Sequence, residues 1–308
     1  MNEVVVTGIG LLTPGVDNIQ DLWERILSKK SYISRIEELE KCHPFIRKEG
    51  AAVGAKFREI SLKDYVECNK LEERYDTATK IALIASEKAI IDSGLKTIPN
   101  DAGVIIGSAR GNTDILEKKI IEVENCISGK LPLQRAEHIR GASLTSSSSI
   151  AAAISRHYLL EGMSRSISTA CTSSLNAIGD AYNQIKFGEV NIALAGGTEA
   201  ALTMSMYVWF NLAGIHTSAS NDFEKSVRPF CKTRQGTAIG EMSCVLVLEE
   251  KNRALERGAK IYGEIIAFAD AIDSSPKSFE ALSPDGAPYG KVIKKVINNA
   301  KISPADID

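Results

Sequence analysis

The fold of this chain is decided by the stretch Ile167-Ser168-Thr169-Ala170-Cys171-Thr172-Ser173-Ser174-Leu175-Asn176-Ala177-Ile178-Gly179. A β-branched segment at 165–169 predicts a strand, and the small and polar residues after it favour a helix over 173–187. One cysteine, Cys171, lies at the junction between them. A strand that leads directly into a helix is typical of an α/β fold.

The junction also places Cys171 where a cysteine can be reactive. A helix N-terminus presents unpaired backbone N–H groups and the positive end of the helix dipole. Both favour the thiolate form of a nearby cysteine, and a sharp turn would point backbone N–H groups at a bound carbonyl oxygen, as acyl transfer requires. The alternative is an inert cysteine that packs in the core, because free cysteines are among the most buried residue types.

Outside this stretch, apolar β-branched segments alternate with helical ones. Strands are predicted at 4–6, 103–106, 165–169, 192–195 and 244–248, and helices at 17–28, 72–93, 143–160, 173–187 and 290–300. Asp17 or Asn18 is expected to cap the first helix, and Gly94 to end the second. Residues 274–289 predict a loop. The alternation predicts an α/β fold with central sheets covered by helices on both faces.

Length and charge exclude several classes of protein. The chain has 308 residues, 44% of them hydrophobic, which is enough for a large core. Its formal net charge is -2, from 37 basic and 39 acidic residues, so neither a nucleic-acid surface nor a polybasic membrane anchor is predicted. The N-terminus lacks the basic region of a signal peptide, and no segment approaches the roughly 20 apolar residues of a membrane helix. We therefore expect a soluble, cytoplasmic protein.

The cysteines are scattered along the chain. They lie at Cys42, Cys68, Cys126, Cys171, Cys231 and Cys244, with no CxxC pair and no metal-ligand spacing to the four histidines. In a chain of this length, such a pattern suits free thiols in a reducing cytoplasm. No metal site is predicted.

The segment Ser-Thr-Ala-Cys-Thr-Ser-Ser at 168–174 resembles the active-site cysteine motif of the β-ketoacyl-[acyl-carrier-protein] synthases. Other segments are similar to this family in the same order along the chain: 4–10 with Thr13-Pro14, 103–108, a Gly-Gly turn at 195–200, Arg-Pro-Phe at 228–230, Gly-Glu at 240–241, 245–250 and 257–262. The resemblance covers essentially the whole chain, so it is far more specific than any single motif.

The resemblance implies the thiolase-like fold, with two similar halves layered as α-β-α-β-α and usually dimeric. Residues 1–250 would form the N-terminal half with the nucleophilic cysteine, and 251–308 would begin the C-terminal half. Cys171 would take an acyl chain from an acyl carrier protein, with its own backbone N–H as an oxyanion donor. A decarboxylated malonyl unit would then attack the acyl group. The family needs no metal or redox cofactor.

Two further residues are candidate site residues through the resemblance. Glu241 is expected to support the active-site loops, and the alternative is a surface carboxylate at a strand edge. Arg110 stands near the expected acyl pocket, where elongating relatives often carry a small or apolar residue. It is a candidate pocket or gate residue, and the alternative is a solvated loop charge.

The sequence also departs from the family. The expected catalytic histidine pair, the active-site lysine and a C-terminal glycine-rich loop are not among these residues, and His43, His138, His157 and His216 are expected to be structural or surface residues. Met242 stands where relatives have glycine, and two acidic positions after Arg228-Pro229-Phe230 are neutral. Either the sequence is part of a longer protein, or it is a shortened partner subunit with impaired condensation. The first explanation is favoured, because a half-built second domain would expose core surface and a sheet edge.

Two other enzyme classes are alternatives. A nucleotide-binding dehydrogenase is suggested by Thr7-Gly8-Ile9-Gly10 after a strand, but Thr13 replaces the third glycine of that motif and Pro14 interrupts entry into a helix. A degradative thiolase would share the fold. The Arg-Pro-Phe and Gly-Glu segments favour the synthases.

Overall fold

A computed structural model describes residues 1–70, 72–130, 144–217, 222–274 and 283–308. Its strands are β1 (Val4–Leu12), β2 (Ser34–Arg35), β3 (Val53–Ala55), β4 (Gly103–Gly107), β5 (Ser164–Ile167), β6 (Ile192–Glu199), β7 (Ile239–Gly240), β8 (Met242–Glu250) and β9 (Gly263–Ile265). Its helices are α1 (Ile19–Leu27), α2 (His43–Ile46), α3 (Thr77–Asp92), α4 (Thr113–Ile127), α5 (Ser148–His157), α6 (Ser173–Lys186), α7 (Met204–Leu212), α8 (Lys251–Glu256) and α9 (Ala287–Ala300).

The main sheet is mixed and has six strands in the order β5-β4-β6-β8-β1-β9. Strand β4 pairs in parallel with both β5 and β6, whereas β8 is antiparallel to β6 and β1, and β9 is antiparallel to β1. A smaller sheet has the order β2-β3-β7. Strand β9 lies in the part of the chain predicted to begin the second half, yet it joins the main sheet. The division at residue 250 stays a prediction.

Helices cover both faces of the main sheet, as the sequence predicted. On one face α3 and α5 close a core that includes Ile81, Ile84, Ile106, Ile154, Val245 and Val247. On the other face α6 packs its small and apolar side chains against β4, β6 and β8, in a core that includes Ala177, Ala181, Ile185, Ala193 and Leu248. The α/β prediction is confirmed.

Glycines inside two strands explain why those strands are longer than predicted. A Cβ at Gly8 or Gly10 would lie 2.2 Å from the Ala89 carbonyl oxygen or 1.9 Å from that of Ala85, so β1 needs both glycines to lie against α3. The predicted Gly-Gly turn is wrong, because β6 continues to Glu199. A Cβ at Gly196 would lie 2.1 Å from the Cys244 carbonyl oxygen. These glycines allow close packing and do not end the strands.

Helix ends follow the capping residues. Asn18 caps α1 by accepting a hydrogen bond from the Asp21 N–H, which confirms one of the two predicted caps. Helix α3 begins five residues later than predicted, because the Asp76 side chain accepts from the Thr79 N–H at 2.8 Å and starts the helix there. Gly94, at φ +74°, ends it as predicted. Helix α5 is shorter than the helix predicted at 143–160, whose first residue lies outside the described residues. Helices α2, α4, α7 and α8 were not predicted.

A buried carboxylate joins the two ends of this fold. Glu249 of β8 is fully buried and accepts hydrogen bonds from Thr7 Oγ1 at 3.0 Å, Arg253 Nε at 3.2 Å and Arg257 Nη2 at 2.8 Å. Arg257 Nη1 also donates to the Ser93 carbonyl oxygen at 2.9 Å. These contacts tie β1 and β8 to α8 and to the end of α3.

We expect Glu249→Gln to lower the free energy of unfolding by about 3 kcal/mol, because the substitution removes the buried charge that both arginines face. Urea denaturation would measure this change. The matched control is Lys251→Gln, which breaks the exposed ion pairs with Glu3 and Glu264. The control should change stability by less than about 1 kcal/mol. Equal losses in the two variants would contradict the prediction.

Candidate active site

Cys171 lies in the turn between the end of β5 and the start of α6, as the sequence predicted. Its side chain is exposed, so the alternative of an inert cysteine packed in the core is wrong. The sulfur is thus accessible at a strand-to-helix junction, next to the positive end of a 14-residue helix.

The turn that holds Cys171 is closed by its neighbours' side chains. The Thr169 N–H donates to Ser173 Oγ at 2.9 Å, and Ser173 Oγ donates to the Ala170 carbonyl oxygen at 2.6 Å. Thr172 Oγ1 donates to the Thr169 carbonyl oxygen at 2.8 Å. Ser and Thr side chains commonly stabilise turns in this way, so the local sequence itself fixes the position of the cysteine.

The backbone at this turn is unusual in two respects. Ala170 has φ +55°, a left-handed conformation that costs a non-glycine residue roughly 1–2 kcal/mol. Within the described part of the chain, the Cys171 N–H makes no hydrogen bond. A free donor beside an exposed sulfur matches the geometry of an oxyanion donor, and that role stays a prediction.

Two glycines bring the start of α6 down onto the sheet. A Cβ at Gly107 of β4 would lie 2.3 Å from the backbone carbon of Ser173, and one at Gly197 of β6 would lie 2.4 Å from Ser174 Cβ. No side chain fits in either gap. The N-terminus of α6, and with it Cys171, can sit at this depth only because both strands carry glycine there.

A cavity of about 470 Å³ opens beside Cys171. It lies between the start of α6 and the main sheet, and its lining is mostly small or apolar. The lining residues are Gly107, Ser108, Ala109, Ala170, Cys171, Ser173, Ser174, Ile178, Gly196, Gly197, Thr198, Glu199, Met242, Cys244 and Leu246. A space of this size and character next to the sulfur can accept an apolar chain attached to it.

Sequence reasoning missed the role of Glu199 in this cavity. Its Oε2 accepts hydrogen bonds from the N–H groups of Ala109, at 2.8 Å, and Arg110, at 3.1 Å. Burial raises the pKa of the carboxyl group above its ordinary value. Glu199 therefore holds the loop after β4 against the end of β6. The only sequence signal was an acidic residue directly after Gly196-Gly197-Thr198.

Arg110 contributes its backbone to this contact. Its side chain is exposed, and the lining of the cavity includes Ala109 and Ser108 but not Arg110. The geometry thus favours the solvated loop charge over the pocket residue. A gating role for Arg110 stays an untested prediction.

Comparison with known proteins identifies this arrangement. The family described as "Beta-ketoacyl synthase, N-terminal domain" matches residues 1–254. The chain belongs to the β-ketoacyl synthase family. The sequence resemblance is therefore confirmed, and the cysteine at the strand–helix junction lies in the matched region.

Similar proteins support the same conclusion. The 3-oxoacyl-[acyl-carrier-protein] synthase 2 of Synechocystis is 30% identical over 98% of this chain and 70% of its own length. The enzyme of that name from Vibrio harveyi is 29% identical over 98% of this chain and 70% of its own length. A solved type II polyketide synthase acyl-carrier protein in complex with its ketosynthase is 26% identical, with a TM-score of 0.81 over 99% of this chain and 71% of that chain. The thiolase-like ketosynthase fold is confirmed.

Glu241, the predicted supporting residue of this synthase, is buried and not a surface carboxylate. It is 5% exposed, and its Oε2 accepts a hydrogen bond from the Phe57 N–H at 2.9 Å. Its own N–H donates to the Ala55 carbonyl oxygen at 2.9 Å. Burial raises the pKa of its carboxyl group to about 7. The next residue, Met242, lines the cavity, so Glu241 lies one residue from the wall; its bracing role stays a prediction.

The described histidines pack away from the cavity lining. His43 Nε2 lies 2.9 Å from the Tyr207 hydroxyl, and His157 Nδ1 lies 2.9 Å from Glu72 Oε1. His216 is buried, which lowers its pKa to about 4. The prediction for His138 falls outside the described residues.

The raised pKa of Glu241 has a measurable consequence for stability. A carboxyl group with a folded-state pKa near 7 and an ordinary unfolded-state pKa destabilises the protein progressively as pH rises from about 4.5 to about 7. Gln cannot ionise, so its contribution to stability does not change over this range. We therefore expect the free energy of unfolding of Glu241→Gln to rise relative to that of the wild type as pH increases, by on the order of 3 kcal/mol at pH 8.

Thermal denaturation of both proteins at pH 5, 6, 7 and 8 would test this expectation. Glu224→Gln, at an exposed site, controls for the loss of one carboxylate and should show a difference from wild type that is independent of pH. A constant difference for Glu241→Gln would contradict the prediction.

Proposed function

We propose that this chain is the cysteine-bearing part of a β-ketoacyl synthase that elongates acyl chains carried by acyl carrier protein. The observation that supports this proposal best is the exposed Cys171 at the start of α6, beside a cavity of about 470 Å³. Family membership and relatives named 3-oxoacyl-[acyl-carrier-protein] synthase agree with it. An exposed sulfur beside an apolar space is what a nucleophile that carries an acyl chain would need.

The first step is acyl transfer to sulfur. The Cys171 thiolate attacks the thioester carbonyl carbon, and the electron pair moves to the carbonyl oxygen, where the Cys171 N–H can donate. Collapse of this intermediate expels the carrier's thiolate, which takes up a proton. The acyl group stays on Cys171 as a new thioester, with its chain in the cavity.

The second step is condensation. A malonyl thioester loses CO₂, and the resulting carbanion attacks the carbonyl carbon of the acyl cysteine. The Cys171 thiolate leaves, and the product is a β-ketoacyl thioester two carbons longer. Covalent capture divides one encounter of three partners into two simpler ones. We assign no residue of this chain to the decarboxylation.

The proposed partner is an acyl carrier protein. A solved relative that is 26% identical is a ketosynthase in complex with the acyl-carrier protein of its type II polyketide synthase. A carrier protein brings its substrate on a flexible arm, and the exposed position of Cys171 leaves the sulfur accessible to such an arm.

The experiment is acyl loading followed by intact mass. The protein is incubated with acyl carrier protein charged with groups from acetyl to dodecanoyl, and we expect its mass to rise by one acyl group. Cys171→Ala should abolish the mass shift. Cys231→Ala is the strict control, because a hydrogen bond from Thr233 lowers the pKa of the Cys231 thiol and makes it a competing nucleophile. Loading should survive in this control.

If none of the tested acyl groups loads onto Cys171, the enzyme proposal is overturned. The chain would then be a ketosynthase-like partner subunit without its own condensation activity. Loading that persists in Cys171→Ala would show that another residue carries the acyl group.

We also propose that the chain forms a homodimer through the edge strand β5. At the ends of β5, the Met163 and Ile167 carbonyl oxygens accept hydrogen bonds from the N–H groups of Val104 and Ser108. Alternate residues of a strand direct their backbone groups to opposite sides, so the N–H of Ser166, between Met163 and Ile167, points away from β4. Among the described residues no strand pairs with that side of β5. Helix α4 also exposes apolar side chains that a partner could cover: Leu116, Ile120, Ile121 and Ile127. A ketosynthase-type heterodimer is the alternative.

Sedimentation velocity would test the dimer. We expect a species of twice the chain mass, and we expect Ser166→Pro to convert it to a monomer, because proline removes the outward N–H donor. Circular dichroism would check that the variant is folded. A wild-type monomer at micromolar concentration would overturn the homodimer.

A reducing compartment, the cytoplasm, is the proposed location. All six cysteines are thiols and not disulfides, as a reducing compartment favours. In the described parts of the chain, no helix has the length and apolar character needed to cross a lipid bilayer. One curated relative, from Schizosaccharomyces pombe, has "mitochondrial" in its name, so the cytoplasmic assignment stays a prediction.

A further inference from the structure

The floor of the Cys171 cavity is one face of two paired strands. In the register of β6 and β8, Glu199 lies opposite Met242, Gly197 opposite Cys244 and Ala195 opposite Leu246. Directly opposed residues project their side chains from the same face of a sheet, and alternate residues share that face. Met242, Cys244 and Leu246 therefore form a row along the floor, and all three line the cavity.

The β8 side of this floor sets the free space above it. Gly197 of β6 and Gly107 of β4 lie beside Cys244 in the same row across the sheet and contribute no side chain. Apart from Ala195 and Glu199 of β6, the side chains on the floor come from β8, and Met242 has the longest of the three that β8 contributes. Met242 is 45% exposed, so it lies at the open end of the row and not in the closed core.

We propose that Met242 is a specificity-determining residue that limits the length of the acyl chain carried by Cys171. The inference rests on the proposed function, since the chain on the Cys171 sulfur must share the cavity with the Met242 side chain. A methionine side chain is flexible and apolar, so it can contact a short chain while occupying the space a longer one would need. Truncation of the Met242 side chain would lengthen the cavity without changing the turn that holds Cys171.

The test is competitive loading of Cys171 from an equimolar mixture of butyryl- and dodecanoyl-charged acyl carrier protein, read by intact mass. Relative to the wild type, we expect Met242→Ala to raise the ratio of dodecanoyl to butyryl product about tenfold, since each methylene accepted or rejected by an apolar pocket changes selectivity by this order. Met242→Phe adds volume at the same site and should lower the ratio. The two variants shift the ratio in opposite directions, so either one that folds tests the proposal.

Met204→Ala is the matched control. Met204 begins α7, is 43% exposed and does not line the cavity, so its truncation should leave the ratio at the wild-type value. Wild-type loading with an unchanged ratio in the Met242 variants would overturn this inference and leave the proposed function standing. Absence of loading in the wild type would overturn both.

Discussion

The close approach of α6 to the main sheet controls the position of Cys171 and of the turn that holds it. Gly107 and Gly197 leave the space that Ser173 and Ser174 occupy, at distances where any Cβ would collide with the helix. The two glycines lie on different strands and are paired in register, so the gap runs across the sheet. Because protein interiors are close-packed, this contact fixes both the distance of Cys171 from the main sheet and the volume of the cavity beside it.

Two buried carboxylates, Glu241 and Glu249, and the partly buried Glu199 have different physical roles in the same fold. Glu249 faces two arginines, so its charge is compensated and it stabilises the junction of β1, β8 and α8. Glu199 and Glu241 accept hydrogen bonds mainly from backbone N–H groups, and burial raises the pKa of each. Uncompensated carboxylates of this kind reduce stability near neutral pH. Both flank the cavity wall, so part of the stability that Glu249 provides offsets their cost.

The sequence allowed the fold class, the family and the position of Cys171 between a strand and a helix to be predicted, because the signals for these features are local. A β-branched segment, a Ser/Thr turn and a helix follow one another over residues 165–187. The contact between Glu199 and Ala109 could not be predicted in this way, since the partners are 90 residues apart and meet only through strand pairing. The lengths of β1 and β6 were underestimated for the same reason. Their glycines contact helices and strands that are distant in sequence. Helix α4 is a different case, because its apolar residues recur at helical spacing, as Leu116, Ile120 and Ile127 do, and this local pattern was overlooked.

The turn that holds Cys171 and the cavity floor depend on different kinds of contact. Side chains within four residues fix the turn around Cys171, whereas the floor depends on the long-range pairing of β6 with β8. A substitution at Met242 changes the floor at its exposed end, and none of the hydrogen bonds that close the turn involves that residue. In the proposed reaction, this separation would allow the accepted acyl chain to vary while the geometry of attack stays constant. Substitutions at Gly107 or Gly197 have no such freedom, because they would move the helix that carries the cysteine.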